Sequence, residues 1–93
     1  MTAEPIQQSQ LYHEVREYLL HEFLPGEDPS LLTETTSLIS GGILDSIGIT
    51  RLVTHLEGRY SVRFESEEIT VDNLDTMLLI VSAIERKLNS KQN

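Results

Sequence analysis

The chain has no cysteine and no tryptophan, only three tyrosines and two phenylalanines, and only seven basic residues against 15 acidic ones in a length of 93. Each shortage excludes something. Without cysteine there is no disulfide staple, no thiolate metal ligand and no cysteine nucleophile. The few basic residues, Arg16, Arg51, Arg59, Arg63, Arg86, Lys87 and Lys91, are scattered along the sequence. Binding to nucleic acid needs Lys and Arg gathered on one face to release counterions, so DNA and RNA are not expected as partners. A net charge of −8 instead steers the chain toward basic surfaces over about a Debye length.

Long apolar runs are also missing. None approaches the roughly 18 residues of a membrane span, and the opening Met1-Thr2-Ala3-Glu4-Pro5 has no basic region leading into an apolar stretch. The expectation is a cytoplasmic monomer with no membrane partner. A chain this short buries little more than about 60% of its unfolded surface, which fits one domain with one small core and works against a multi-layer enzyme.

Proline is confined to Pro5, Pro25 and Pro29, so residues 30–93 are free of the strongest helix breaker. Leu11, Val15, Leu19 and Phe23 recur every four residues and predict a first amphipathic helix ending near Pro25-Gly26. Residues 26–42 predict a long ordered loop with one helical turn, pinned to the core by Leu31, Leu32, Leu38 and Ile39. A loop of that length in a small domain is often functional. After Gly41-Gly42, the spacing of Ile49, Leu52, Val53, Leu56 and Tyr60 predicts a second helix, with Asp45 as its cap and Ser46 in its first turn.

Val62-Arg63-Phe64 predicts a short extended link, and Ser66-Glu67-Glu68-Ile69 a helical turn. A last helix is expected to be capped by Asp72 or Asn73, with Leu74, Met77, Leu78, Val81, Ile84 and Leu88 as its apolar stripe. Arg86, Lys87 and Lys91 would sit at its C-terminal end, where the helix dipole favours cations. The array predicts an all-α four-helix bundle of three long helices and one short third helix. The domain spans residues 9–89, between polar tails at 1–8 and 90–93.

The start of the second helix is the most informative point. A hydrolase serine would need a base within reach and an oxyanion hole. Leu44-Asp45-Ser46-Ile47-Gly48 lacks the glycine two residues before the serine that a nucleophile elbow requires. His55 lies nine residues on, which puts it about 180° round the helix and roughly 13 Å along it from Ser46. No catalytic residue is therefore assigned. A cap alone would explain Asp45-Ser46, but Ile47 falls opposite the core side, together with Thr50, Arg51 and Thr54. An exposed isoleucine beside an exposed serine suggests a docking surface around a modified hydroxyl.

Gly42-Ile43-Leu44-Asp45-Ser46-Ile47-Gly48-Ile49, followed by Leu52-Val53 and Leu56-Glu57, resembles the 4′-phosphopantetheine attachment site of acyl and peptidyl (aminoacyl) carrier proteins. The resemblance covers roughly residues 8–88, including the long first loop and the short third helix, and so implies a bundle of the acyl-carrier type. It implies that Ser46, flanked by Asp45 and Ile47, accepts the phosphopantetheine arm of coenzyme A. Acyl or aminoacyl groups would then ride as thioesters on the arm's terminal thiol. It further implies a phosphopantetheinyl transferase, an acyl- or aminoacyl-adenylating ligase and a downstream acyltransferase or condensing enzyme as partners, with no catalysis by the chain itself. A cysteine-free chain can take part in such chemistry because the sulfur belongs to the prosthetic group.

Carriers of bulk fatty-acid synthesis present a strongly acidic second helix. Here that helix carries Arg51, His55 and Arg59, and Glu57 is its only acid after Asp45. The negative charge gathers between Ser61 and Asp75 instead, where five acids face Arg63 alone. The expected docking residues are accordingly Ile47, Thr50, Arg51 and Thr54, with Glu67 and Glu68 supplying salt-sensitive steering. The stretch Glu67 to Thr76 is more similar to free-standing aminoacyl, peptidyl and D-alanyl carriers, which favours a dedicated carrier of a specialised pathway. The alternatives are a carrier of general fatty-acid synthesis, or an acidic interaction domain with no prosthetic group. No metal site is expected, since no calcium-loop pattern of alternating Asp/Asn ending in Gly occurs.

Overall fold

The computed structural model describes residues 7–91, and among them there are four helices and no strand. These are α1 (Gln8–Phe23), α2 (Ser46–Tyr60), α3 (Val71–Leu74) and α4 (Met77–Lys91). Single 3₁₀ turns, at Pro29–Leu31 and Ser66–Glu68, lie in the first two connections. No helix among the described residues is long and apolar enough to cross a membrane.

The four-residue repeat of α1 puts Leu11, Val15 and Leu19 wholly inside, while Phe23 is half-buried at the edge of the core. The helix closes with the Leu24 N–H donating to the Leu20 carbonyl, just ahead of Pro25. Of the four loop residues expected to anchor the connection, Leu32 and Leu38 are buried and Ile39 is half-buried. Leu31 is 58% exposed, contrary to expectation. It closes a 3₁₀ turn that Leu32 leaves in extended backbone, and of the two neighbours Leu32 alone reaches the core. Polar ties complete the anchoring: Arg16 Nη2 donates to the Pro29 carbonyl at 2.6 Å and Nε to that of Leu32 at 3.4 Å.

On α2 the expected face is buried at Leu52, Val53, Leu56 and Tyr60, with Ile49 half-buried. The link after it contributes more than its length suggested. Val62 and Phe64 point into the core while Arg63 points out, the period-two alternation of extended chain.

The largest departure is the last helix, which is two helices. Its start is not capped by Asp72 or Asn73. Thr70 precedes α3, Asp72 lies in its first turn, and the Asn73 amide donates to the Glu68 carbonyl at 3.0 Å. After Asp75 the chain restarts, and the Leu79 N–H donates to Thr76 Oγ1 at 3.2 Å at the head of α4. The break resets the angular register. Met77, Ile80, Val81 and Ile84 take the i, i+3, i+4, i+7 positions inside, and Leu78, about 100° away from Met77, is 41% exposed rather than part of the apolar stripe. α1 and α3 pack most closely against α4. α4 runs to Lys91, two residues into the expected tail, and α1 begins at Gln8. The rest of the expected tails, residues 1–6 and 92–93, lies outside the described residues.

Candidate functional site

Two glycines bring the chain into α2. A Cβ at Gly41 would overlap the carbonyl oxygen of Ser37, and Gly42 has φ +84°, a conformation that costs glycine little and other residues more. The tight turn they allow is closed by the Leu44 N–H donating to the Leu38 carbonyl at 2.8 Å. Leu38 and Leu44 bury their side chains beneath it.

Asp45 then caps α2 as expected. Its backbone is extended, and its Oδ1 accepts from the Gly48 N–H at 2.8 Å. Gly48 is buried where its Cβ position approaches the Phe23 ring at 3.2 Å and the Asp45 carboxylate at 3.3 Å, so any side chain there would press on both the cap and α1. The N–H groups of Ser46 and Ile47 have no acceptor within the helix, because the first turn of any helix lacks them.

Ser46 is the first residue of α2 and is exposed. Its carbonyl accepts from the Thr50 hydroxyl at 3.1 Å, and among the described residues its own hydroxyl has no hydrogen-bond partner. Ile47 is 70% exposed, and Thr50, Arg51 and Thr54 are exposed on the same side of α2. Arg51 forms no ion pair among the described residues. A shallow hollow of about 270 Å³ adjoins the start of the helix, with Phe23, Ile43 and Ile47 as apolar walls and Arg51 at its rim.

His55 is taken up elsewhere: its ring stacks on that of Tyr18, centroids 3.8 Å apart and 5° from parallel. Burial and then the Arg59 charge lower its pKa. Tyr18 in turn donates to the Arg51 carbonyl at 3.2 Å, fastening α1 to α2 one turn from the site.

Glu67 and Glu68, expected together, are placed differently. Glu67 is exposed. Glu68 accepts from the Glu65 N–H at 2.7 Å and pairs with Lys87 Nζ at 2.7 Å, and these bonds hold its carboxyl below the usual range. Glu67 is therefore the less engaged of the two. Ile69 and Val71, 37% and 47% exposed, add apolar surface on the α3 side that the sequence reading had not assigned. The residue most completely missed is Asp75, counted only as one of several acids. It bonds to the loop that delivers Ser46, and no apolar spacing or local motif in the sequence marks it out.

No protein-family model matches the chain, and no curated protein matches it.

Proposed function

We propose that the chain is a stand-alone carrier protein of the acyl-carrier type, with Ser46 as the attachment residue for 4′-phosphopantetheine drawn from coenzyme A. The observation that carries this reading is the presentation of Ser46. An exposed hydroxyl with no hydrogen-bond partner among the described residues opens the second helix, beside an isoleucine that is 70% exposed.

The residues present fit the group. The Ser46 hydroxyl is accessible, and the open N–H groups of the first turn and the positive end of the helix dipole favour a phosphodiester there. Arg51 at the rim of the hollow adds a cation, and the apolar walls suit the uncharged stem of such an arm. During attachment the Ser46 oxygen bonds to the phosphorus that carries the pantetheine of coenzyme A, the pyrophosphate P–O bond on its other side breaks so that adenosine 3′,5′-bisphosphate leaves, and the serine proton passes to the transferase. Once bound, the arm supplies a thiol for thioester formation, chemistry the cysteine-free chain lacks. Asp45 keeps its role as cap throughout, so it fixes the helix start rather than acting as a base.

In this reading the chain is not an enzyme. Ile47, Thr50, Arg51 and Thr54 form the docking face for the transferase, an acyl- or aminoacyl-adenylating ligase and a downstream acyltransferase or condensing enzyme. Glu67 and Glu68 lie on the steering side. The sparse acidity of α2 favours a carrier dedicated to one specialised route over one of general fatty-acid synthesis.

The test is intact mass after incubation with coenzyme A and a promiscuous phosphopantetheinyl transferase. The wild-type chain is expected to gain one phosphopantetheine and Ser46→Ala none. A wild-type chain that stays unmodified under conditions that load a control carrier returns the protein to the class of interaction domains without a prosthetic group.

A further inference from the structure

Three consecutive loop residues converge on one residue more than thirty positions later. Asp75 Oδ1 accepts from the Ile39 N–H at 2.8 Å and the Ser40 N–H at 2.9 Å, and Oδ2 accepts from the Ser40 hydroxyl at 2.8 Å. The carbonyl of the same residue accepts from the Leu38 N–H at 2.6 Å. One residue thus takes four donors. Leu38 passes the restraint on, since its own carbonyl receives the Leu44 N–H at 2.8 Å. Leu44 adjoins Asp45, the cap of α2, and Ser46 follows.

The bonds therefore run without interruption from the α3–α4 junction to the residue before the cap. We propose that Asp75 is a positioning residue for Ser46, locking the turn at 38–44 to the α3–α4 junction so that the α2 and α3 sides of the site move as one body. The role assigned toward partner enzymes rests on the carrier reading; the role in holding the turn does not.

An aspartate suits the place for three reasons. Its short side chain keeps the carboxylate at the junction where α3 ends and α4 has not begun. Its two oxygens are acceptors only, matching three donors with no donor of their own. Bonds to an ionised acceptor are roughly twice as strong as neutral ones. Asparagine could keep the two N–H bonds through its oxygen, and the Ser40 hydroxyl could reverse to accept from its amide. Alanine keeps only the carbonyl bond. The two substitutions thus grade the clasp.

The test uses the full chain and two readouts. Amide hydrogen exchange is followed at Ile39, Ser40 and Leu44, with Leu52 and Leu56 inside α2 as controls. Asp75→Ala is expected to speed exchange about tenfold at Ile39 and Ser40 and severalfold at Leu44, with the controls within twofold. Asp75→Asn should return most of the protection, and Ser40→Ala should lose only a small part. In arm transfer, Asp75→Ala should raise the KM for the chain severalfold with kcat within twofold, and Asp75→Asn should restore KM.

Unchanged exchange at Leu44 in Asp75→Ala overturns the proposal, because the turn is then held without the Asp75 carboxylate. Loosened exchange with an unchanged KM overturns its positioning part and leaves a merely structural tie. If Asp75→Ala loosens the controls as well, Asp75→Asn and Ser40→Ala decide: graded loosening confined to residues 38–44 supports the proposal, and its absence overturns it. A wild-type chain that accepts no arm sinks the carrier reading alone, and the exchange at Leu44 still decides whether Asp75 holds the turn.

Discussion

The two ends of α2 differ in what their side chains have left to offer. At the C-terminal end, Tyr60 donates to Glu14 Oε1 of α1 at 2.7 Å and Arg59 pairs with Oε2 at 2.9 Å. Nearby, Lys87 of α4 lies over the Phe64 ring and pairs with Glu68. Cations, carboxylates and a phenol are consumed by helix-to-helix ties. At the N-terminal end the restraints are backbone turns, one capping carboxylate and the Asp75 clasp, none of which uses the outward side chains of Ser46, Ile47 or Arg51. What remains outward, among the described residues, is a hydroxyl without a hydrogen-bond partner, an exposed isoleucine and an arginine without an ion pair. One end of the helix closes the bundle, and the other is held firmly from behind while its front stays open.

The sharpest way to break this comparison is to truncate one aliphatic side chain from each side of the same helix. Leu52 is fully buried, so Leu52→Ala loses its transfer free energy and leaves a cavity, costing about 2–5 kcal/mol. For a domain of this size that is a large share of the total, about 5–15 kcal/mol. Ile47→Ala removes a side chain already in water and should stay within about 0.5 kcal/mol. Urea unfolding of both variants measures the difference. If Ile47→Ala costs as much as Leu52→Ala, Ile47 belongs to the core and the open end of α2 does not exist.

That contrast was legible in the sequence because α2 is an uninterrupted helix. A strict period placed Leu52 and Leu56 inside and Ile47, Thr50, Arg51 and Thr54 outside, and Asp45 fell at a position only a cap explains. The same method misplaced Leu78 and overlooked Ile80, because an apolar spacing cannot show that the helix stops at Leu74 and restarts at Met77. Leu31 failed for a different reason: it was expected inside only as an apolar residue of a loop, and apolar character does not say which side of a turn faces the core. Asp75 was unreadable in principle: its partners lie in a loop with no periodicity, and tertiary folding alone brings them together. The surface of the candidate site was therefore legible, and the apparatus behind it was not.

Acid should weaken both ends, by different chemistry. Burial pushes Glu14 up, but the bonds from Tyr60, Gln10 and Arg59 outweigh it and hold its pKa below the usual range. The Glu65 N–H and then Lys87 do the same for Glu68. Asp75 is held down by the Ser40 N–H first, then by the Ser40 hydroxyl. A carboxyl whose folded pKa is depressed stabilises the fold fully above its unfolded value near 4, and that stability is lost as pH falls through the folded value. His55, also depressed, acts with the same sign a little higher: the unfolded chain gains its proton first as pH drops through about 6.5. The expected outcome is a thermal midpoint that falls modestly from pH 7 to 5 and steeply below 4. A midpoint that rises on acidification would contradict these assignments.

Salt separates the two ends by the smallest effect. The Arg59–Glu14 pair joins a half-exposed guanidinium to a carboxylate with 21% of its side chain exposed, so it is an ion pair open to screening and worth at most about 1 kcal/mol. The Asp75 clasp pairs a carboxylate with neutral N–H and O–H donors at short range, leaving no opposite charge for salt to screen. Arg59→Ala should therefore lower stability by less than about 1 kcal/mol at low ionic strength, and most of that difference from wild type should vanish in 1 M salt, where the Debye length is about 3 Å. Exchange at Ile39 and Ser40 should hardly move over the same range. If salt opened the clasp while leaving the Arg59 difference intact, the division between a charged closed end and a neutral-donor open end would be reversed.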